Sequence, residues 1–110
     1  MLKATPVALN LKKQQHQPSD EVLVRAIIQK EDTQLFEILY DRYYAFVHKR
    51  CSSFFKNKQD AEDVSQEIFF KVFLKLDTFS FKSKFSTWLY SFAQNYCINY
   101  IRQIRYRKLE

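Results

Sequence analysis

The sequence predicts an all-α fold, a compact bundle of about four helices. Glycine is absent from its 110 residues, and proline occurs only at Pro6 and Pro18. Tight β-hairpins usually take their turns from glycine or Asn-Gly pairs, so strands joined by short turns are disfavoured. Hydrophobic residues make up 46% of the chain and aromatic residues 17%, ample for one packed core at this length. Past Pro18 the apolar residues recur at three- and four-residue spacing, the period of an amphipathic helix.

Residues 1–18 read as a flexible tail. A short apolar patch at Val7, Ala8 and Leu9 precedes Lys12, Lys13 and a glutamine-rich stretch, without the apolar centre or cleavage site of a secretion signal. No apolar run approaches the roughly 18 residues of a membrane span, so no membrane insertion and a cytoplasmic location are expected. Ser19 or Asp20 can cap a first helix to about Lys30, with Val22, Leu23, Ala26 and Ile27 on one side. Asp32 or Thr33 can cap a second, from about Gln34 to Phe55. Its apolar positions include Leu35, Phe36, Leu39, Tyr40, Tyr43, Phe46, Val47 and Phe54.

Lys56–Gln59 then breaks the pattern. A third helix is predicted from about Asp60 to Leu76 and a fourth from about Phe85 to Arg107. Between them, Asp77–Lys84 alternates apolar and polar residues. A short strand is one reading, but an ordered loop suits a connection between two helices better. Cys51 and Cys97 fall inside predicted helices, which points to reduced thiols rather than a disulfide framework. Neither these cysteines nor His16 and His48 have metal-ligand spacing, so no metal or cofactor is expected.

Charge is segregated along the chain. There are 18 Lys and Arg against 12 Asp and Glu, a formal net charge of +6. Between Thr78 and Leu109 no acidic residue occurs, while Lys82, Lys84, Arg102, Arg105, Arg107 and Lys108 do; the remaining 12 basic and 12 acidic residues cancel. A localised basic stripe is the electrostatic footprint of a nucleic-acid partner, although a solvated basic helix end has the same charge.

The third helix has two faces. Ala61, Val64, Ile68, Phe69, Val72, Phe73 and Leu76 fall on one broad side, and Asp63, Gln66, Glu67, Phe70 and Leu74 fall opposite, with Glu62 near the edge. Asp60, Glu62 and Asp63 also complement the helix dipole, which is explanation enough for the acids alone. Phe70 and Leu74 need another explanation, because a helix gains nothing by showing them to water. An aromatic anchor rimmed by carboxylates and an amide suits a protein partner.

The fourth helix buries Phe85, Leu89, Phe92, Ala93, Tyr96, Tyr100 and Ile104. Thr87, Ser91, Gln94, Asn95, Ile98, Arg102 and Arg105 line its other side, with Trp88 and Asn99 at the margin. Small hydroxyls and amides can meet base edges or phosphate oxygens, and the arginines suit the backbone. In the preceding loop, Phe79 and Phe81 stand beside Lys82 and Lys84, the ingredients for stacking an unpaired base. Alternatively, the two phenylalanines plug the core.

Three stretches carry a resemblance: DAEDVSQEIF from Asp60 to Phe69, FSTWLY from Phe85 to Tyr90, and AQN at Ala93–Asn95. Together with LFEILY at Leu35–Tyr40 and with Tyr43, they closely resemble region 2 of bacterial RNA polymerase sigma factors of the extracytoplasmic-function class. The resemblance spans roughly Asp20 to Arg107 and places the region 2 domain at residues 19–108. Family members carry a second helical domain, region 4, which reads the minus-thirty-five element and would lie beyond this sequence.

The resemblance implies two partners. Asp60, Glu62, Asp63, Gln66, Glu67 and Phe70 would dock on the clamp helices of the core RNA polymerase β′ subunit. Phe79, Ser80, Lys82, Ser83 and Lys84 would form the loop that holds a flipped base of the promoter's minus-ten element. Trp88, Ser91, Asn95, Asn99, Arg102 and Arg105 would contact the non-template strand or its backbone. Gln94 and Asn99 depart from residues common in the family, so no base preference is carried over. The sequence contains no nucleophile–base pair or glycine-rich phosphate loop, so a non-enzymatic transcription initiation factor is expected. The rival expectation is a protein-interaction module, such as a sigma-like domain held by an anti-sigma factor. A non-specific RNA-binding domain, independent of polymerase, is a third.

Overall fold

Short polar side chains start three of the four α-helices among the described residues. In α1 (Asp20–Lys30) the Ser19 hydroxyl accepts from the Val22 N–H at 3.2 Å. For α2 (Thr33–Ser52), Asp32 Oδ1 accepts from the N–H groups of Gln34 at 2.9 Å and Leu35 at 3.4 Å. For α3 (Lys58–Leu74), Asn57 Oδ1 accepts from Gln59 at 2.7 Å and Asp60 at 3.3 Å. Each cap satisfies backbone donors that lack a helical partner. Asn57 is why α3 begins two residues before its predicted start. Helix α2 ends at Ser52 rather than Phe55, because the Phe54 and Phe55 N–H groups both turn back onto the Cys51 carbonyl. A 3₁₀ turn (Leu76–Thr78) follows α3, and α4 runs from Phe85 to Leu109.

This computed structural model describes residues 18–109, with side chains through Arg107. The predicted tail, apart from Pro18, lies outside the described residues, as does the Lys108 side chain. The described residues are α-helical with no strand, as expected, and Asp77–Lys84 is a turn and loop. No helix among them is long and apolar enough to cross a membrane.

The chain divides into two compact units, one ending at Arg42 and the other starting at Tyr43. In the first, Leu23, Val24, Ile27 and Leu39 are buried. Val22, expected on the inner side of α1, is exposed, and Val24 takes its place. Arg42 braces this unit, pairing with Asp20 at 2.8 Å and donating to the Pro18 carbonyl at 2.7 Å.

In the second unit, α4 buries Phe85, Leu89, Ala93 and Cys97, one residue per helical turn. They share a core with Val47 and Cys51 of α2 and with Ala61, Val64, Ile68, Phe69 and Val72 of α3. Cys97 is the correction to the expected stripe, whereas Phe92, Tyr96, Tyr100 and Ile104 are only half-buried. The Cys97 thiol donates to Cys51 at 3.7 Å, and that hydrogen bond together with burial pushes the Cys97 thiol far above its ordinary range. Buried Ser65 donates to the Ala61 carbonyl at 2.6 Å, so the core polar group is satisfied.

Candidate docking face and nucleic-acid interface

The outer side of α3 is built as its periodicity predicts. Asp60, Asp63, Gln66 and Glu67 are exposed and Glu62 is half-buried. Phe70 is 60% exposed and Leu74 56%. Leaving such side chains largely wet forgoes part of the roughly 1.5–3 kcal/mol that full burial of each would contribute, a cost a binding partner would remove. Gln59 Nε2 donates to Asp63 Oδ1 at 2.9 Å, and the Tyr96 hydroxyl donates to Glu67 Oε1. Partial burial, then the Glu67 contact, raise the Tyr96 hydroxyl above the ordinary tyrosine range.

The loop before α4 divides into an inner and an outer part. Phe79, expected to contact a base, is only 4% exposed. Its ring lies 4.6 Å from Phe81, 5.5 Å from Trp88 and 5.8 Å from Phe85, centroid to centroid. Phe79 is therefore a core plug beneath the loop, the alternative its sequence left open. Phe81 is half-buried at a φ of 62°, a left-handed conformation that costs a residue with a Cβ about 1–2 kcal/mol. Aromatic packing holds it there. Ser80, Lys82, Ser83 and Lys84 are all exposed. The Lys84 carbonyl accepts from the Thr87 and Trp88 N–H groups at 3.1 Å, locking the loop to the first turn of α4.

Along α4, Ser91, Asn95, Asn99, Arg102 and Arg105 are exposed on successive turns. Trp88 is half-buried, with Phe92 at 5.4 Å on the next turn. The structure thus brings the loop, Trp88 and the polar side of α4 into one continuous strip. Gln94 is the exception on that side. It is half-buried, and its Oε1 accepts from Arg50 Nε at 3.2 Å and from Arg50 Nη2.

Arg50 did not stand out in the sequence. Its guanidinium lies 5.0 Å from the centroid of the exposed Tyr90 ring and 5.7 Å from that of Phe54. These are cation–π distances. No local pattern could have found it, because Arg50 and Gln94 are 44 residues apart. Among the described residues, no group of three or more His, Cys, Asp or Glu is placed to hold a metal.

The sigma-70 region 2 family model matches residues 39–107. The chain belongs to that family, in its extracytoplasmic-function class. It is 36% identical over 76 residues to the ECF RNA polymerase sigma factor SigW of Bacillus subtilis, covering 69% of this chain and 41% of that protein. It is 40% identical over 85 residues to the ECF RNA polymerase sigma-E factor of Escherichia coli K12, covering 77% of this chain and 44% of that protein. The region 2 chain thus spans less than half the length of these relatives. Its fold is similar to the NMR structure of an engineered region 2 of sigmaE in complex with GTAAAA. The TM-score is 0.75 at 39% identity, covering 88% of this chain and 99% of the other.

Proposed function

We propose that this region 2 domain recognises the minus-ten promoter element and helps to open it while docked on the clamp helices of the polymerase β′ subunit. Asp60, Glu62, Asp63, Gln66, Glu67 and Phe70 form the docking surface. Ser80, Lys82, Ser83, Lys84, Trp88, Ser91, Asn95, Asn99, Arg102 and Arg105 meet the non-template strand, and Phe79 supports their loop from inside. One observation carries the reading. An acid-free strip of hydroxyls, amides and cations runs along the loop and α4, while exposed Phe70 and Leu74 sit among carboxylates on α3.

The mechanism is differential binding. Extruding a base from the duplex costs a few kcal/mol. Contacts of Ser80 and Ser83 with that base, and of Lys82 and Lys84 with its phosphate, offset the cost only once the strand is open. Polymerase docking supplies orientation and additional affinity. Fluorescence anisotropy with single-stranded non-template oligonucleotides tests the assignment. Asn95→Ala and Lys84→Ala each weaken strand binding about fivefold to tenfold and leave clamp-helix binding unchanged. If the wild-type chain, with core polymerase present, showed no preference among oligonucleotides, a protein-interaction module would replace this reading.

A further inference from the structure

We propose that Arg50 is a contact for the phosphate backbone of the bound single strand, a cation that α2 lends to the face of α4. The inference rests on the strand-binding reading above and begins from a gap in it. From Phe85 to Ile101 there is no lysine or arginine. Lys84 and Arg102 therefore stand about 27 Å apart along the helix axis at 1.5 Å per residue. A strand laid from the loop toward Arg102 would pass several phosphates over this stretch without meeting a cation of α4. Arg50 reaches the middle of that gap from another helix, at Tyr90 and Gln94.

Its geometry fits a phosphate better than it fits a purely structural role. The partner Gln94 is neutral, so the hydrogen bonds orient the guanidinium without cancelling its charge. Among the described residues no carboxylate pairs with it. Arg50 is half-buried, two of its five N–H donors go to Gln94, and the other three make no hydrogen bond among the described residues. Stacking on Tyr90 and Phe54 further restricts the group, so less entropy is lost when it binds. Beside it, Tyr90 is 37% and Phe46 41% exposed, with ring centroids 5.8 Å apart. They form an apolar floor for the sugar or base attached to that phosphate. The absence of acidic residues from this side of α4 favours a polyanionic occupant over an acidic protein surface, which offers fewer and less regular charges.

The test measures binding of the full chain to a labelled single-stranded oligonucleotide containing GTAAAA across a salt series. Arg50→Gln should weaken binding about fivefold to tenfold at low salt and reduce the slope of log K against log salt by about 0.7, the value for one lost phosphate contact on a single strand. Arg50→Lys should retain the slope, because the charge is retained. Lys49→Gln, the same charge change on the adjacent exposed residue, should alter neither quantity. A merely structural role for Arg50 would lower the Tm of Arg50→Gln while leaving the slope at its wild-type value. That unchanged slope would overturn the proposal, as would equal slope losses in Arg50→Gln and Lys49→Gln. If the wild-type chain failed to bind the strand at any salt concentration, the strand-binding reading would fall and the Arg50 contact with it.

Discussion

The outward faces of α3 and α4 differ in how much of the rest of the protein is needed to make them. On α3, the groups proposed to face polymerase come from one helix, and their exposure follows from position: Asp63, Gln66, Glu67 and Phe70 recur at three- and four-residue spacing. On α4, the polar face is composite. The loop is carried on Phe79 and Phe81, Gln94 is held by Arg50 of α2, and the middle of the helix is tied to α3 through Tyr96 and Glu67. A surface made by one helix can be disabled by changing that helix alone. A composite surface can also be disabled from beneath.

The largest expected effect tests that distinction. Phe79→Ala removes a fully packed ring and should cost about 3–5 kcal/mol of stability, read by chemical denaturation. Under conditions where the variant is still folded, strand binding should fall more than clamp-helix binding. Equal losses on both faces would show that the loop is not separately supported. Next in size, the double change Glu67→Ala, Phe70→Ala should weaken binding to the clamp helices by about 30-fold or more, the scale of a lost interface anchor. Its stability should fall by no more than the lost Tyr96–Glu67 hydrogen bond contributes, about 0.5–1.5 kcal/mol, and its strand affinity should fall far less than its clamp-helix affinity. Unchanged clamp-helix affinity would remove the docking assignment and leave the two faces indistinguishable in function.

The smallest effect concerns the link between the faces. Because the Tyr96 hydroxyl is raised above its ordinary value of 10.0, the folded chain holds that proton where the unfolded chain has lost it. Stability from this group is therefore complete below about pH 10 and declines as pH rises beyond it. Tyr96→Phe should flatten the decline in denaturation curves taken from pH 9 upward, relative to wild type. Superimposable pH profiles for the two proteins would mean that the hydroxyl bond to Glu67 does not bridge α3 and α4 in solution.

How much of this was legible in the sequence depends on the range of each interaction. The helices could be read directly and the first two caps narrowed to adjacent pairs, Ser19 or Asp20 and Asp32 or Thr33, because capping and facing act over two to four residues; the folded chain selects Ser19 and Asp32. The wet positions of Phe70 and Leu74 were legible for the same reason, and the acid-free run from Thr78 to Leu109 is plain in the sequence. The early start of α3 was missed through a local signal that was present but unread, the Asn57 cap.

Other features required the folded chain. Whether Phe79 met a base or filled the interior was undecidable from its neighbours, since an aromatic ring beside lysines serves either purpose. Packing against Phe85 and Trp88 resolved it. The Tyr96–Glu67, Arg50–Gln94 and Cys51–Cys97 contacts join residues 29, 44 and 46 positions apart. Amino-acid order alone settled most of the outward positions on each helix, Val22 and Gln94 excepted, because facing depends on a repeat of 3.6 residues. Which of those residues act together was settled by helix packing, because side chains distant along the chain meet only when a shared core holds their backbones side by side.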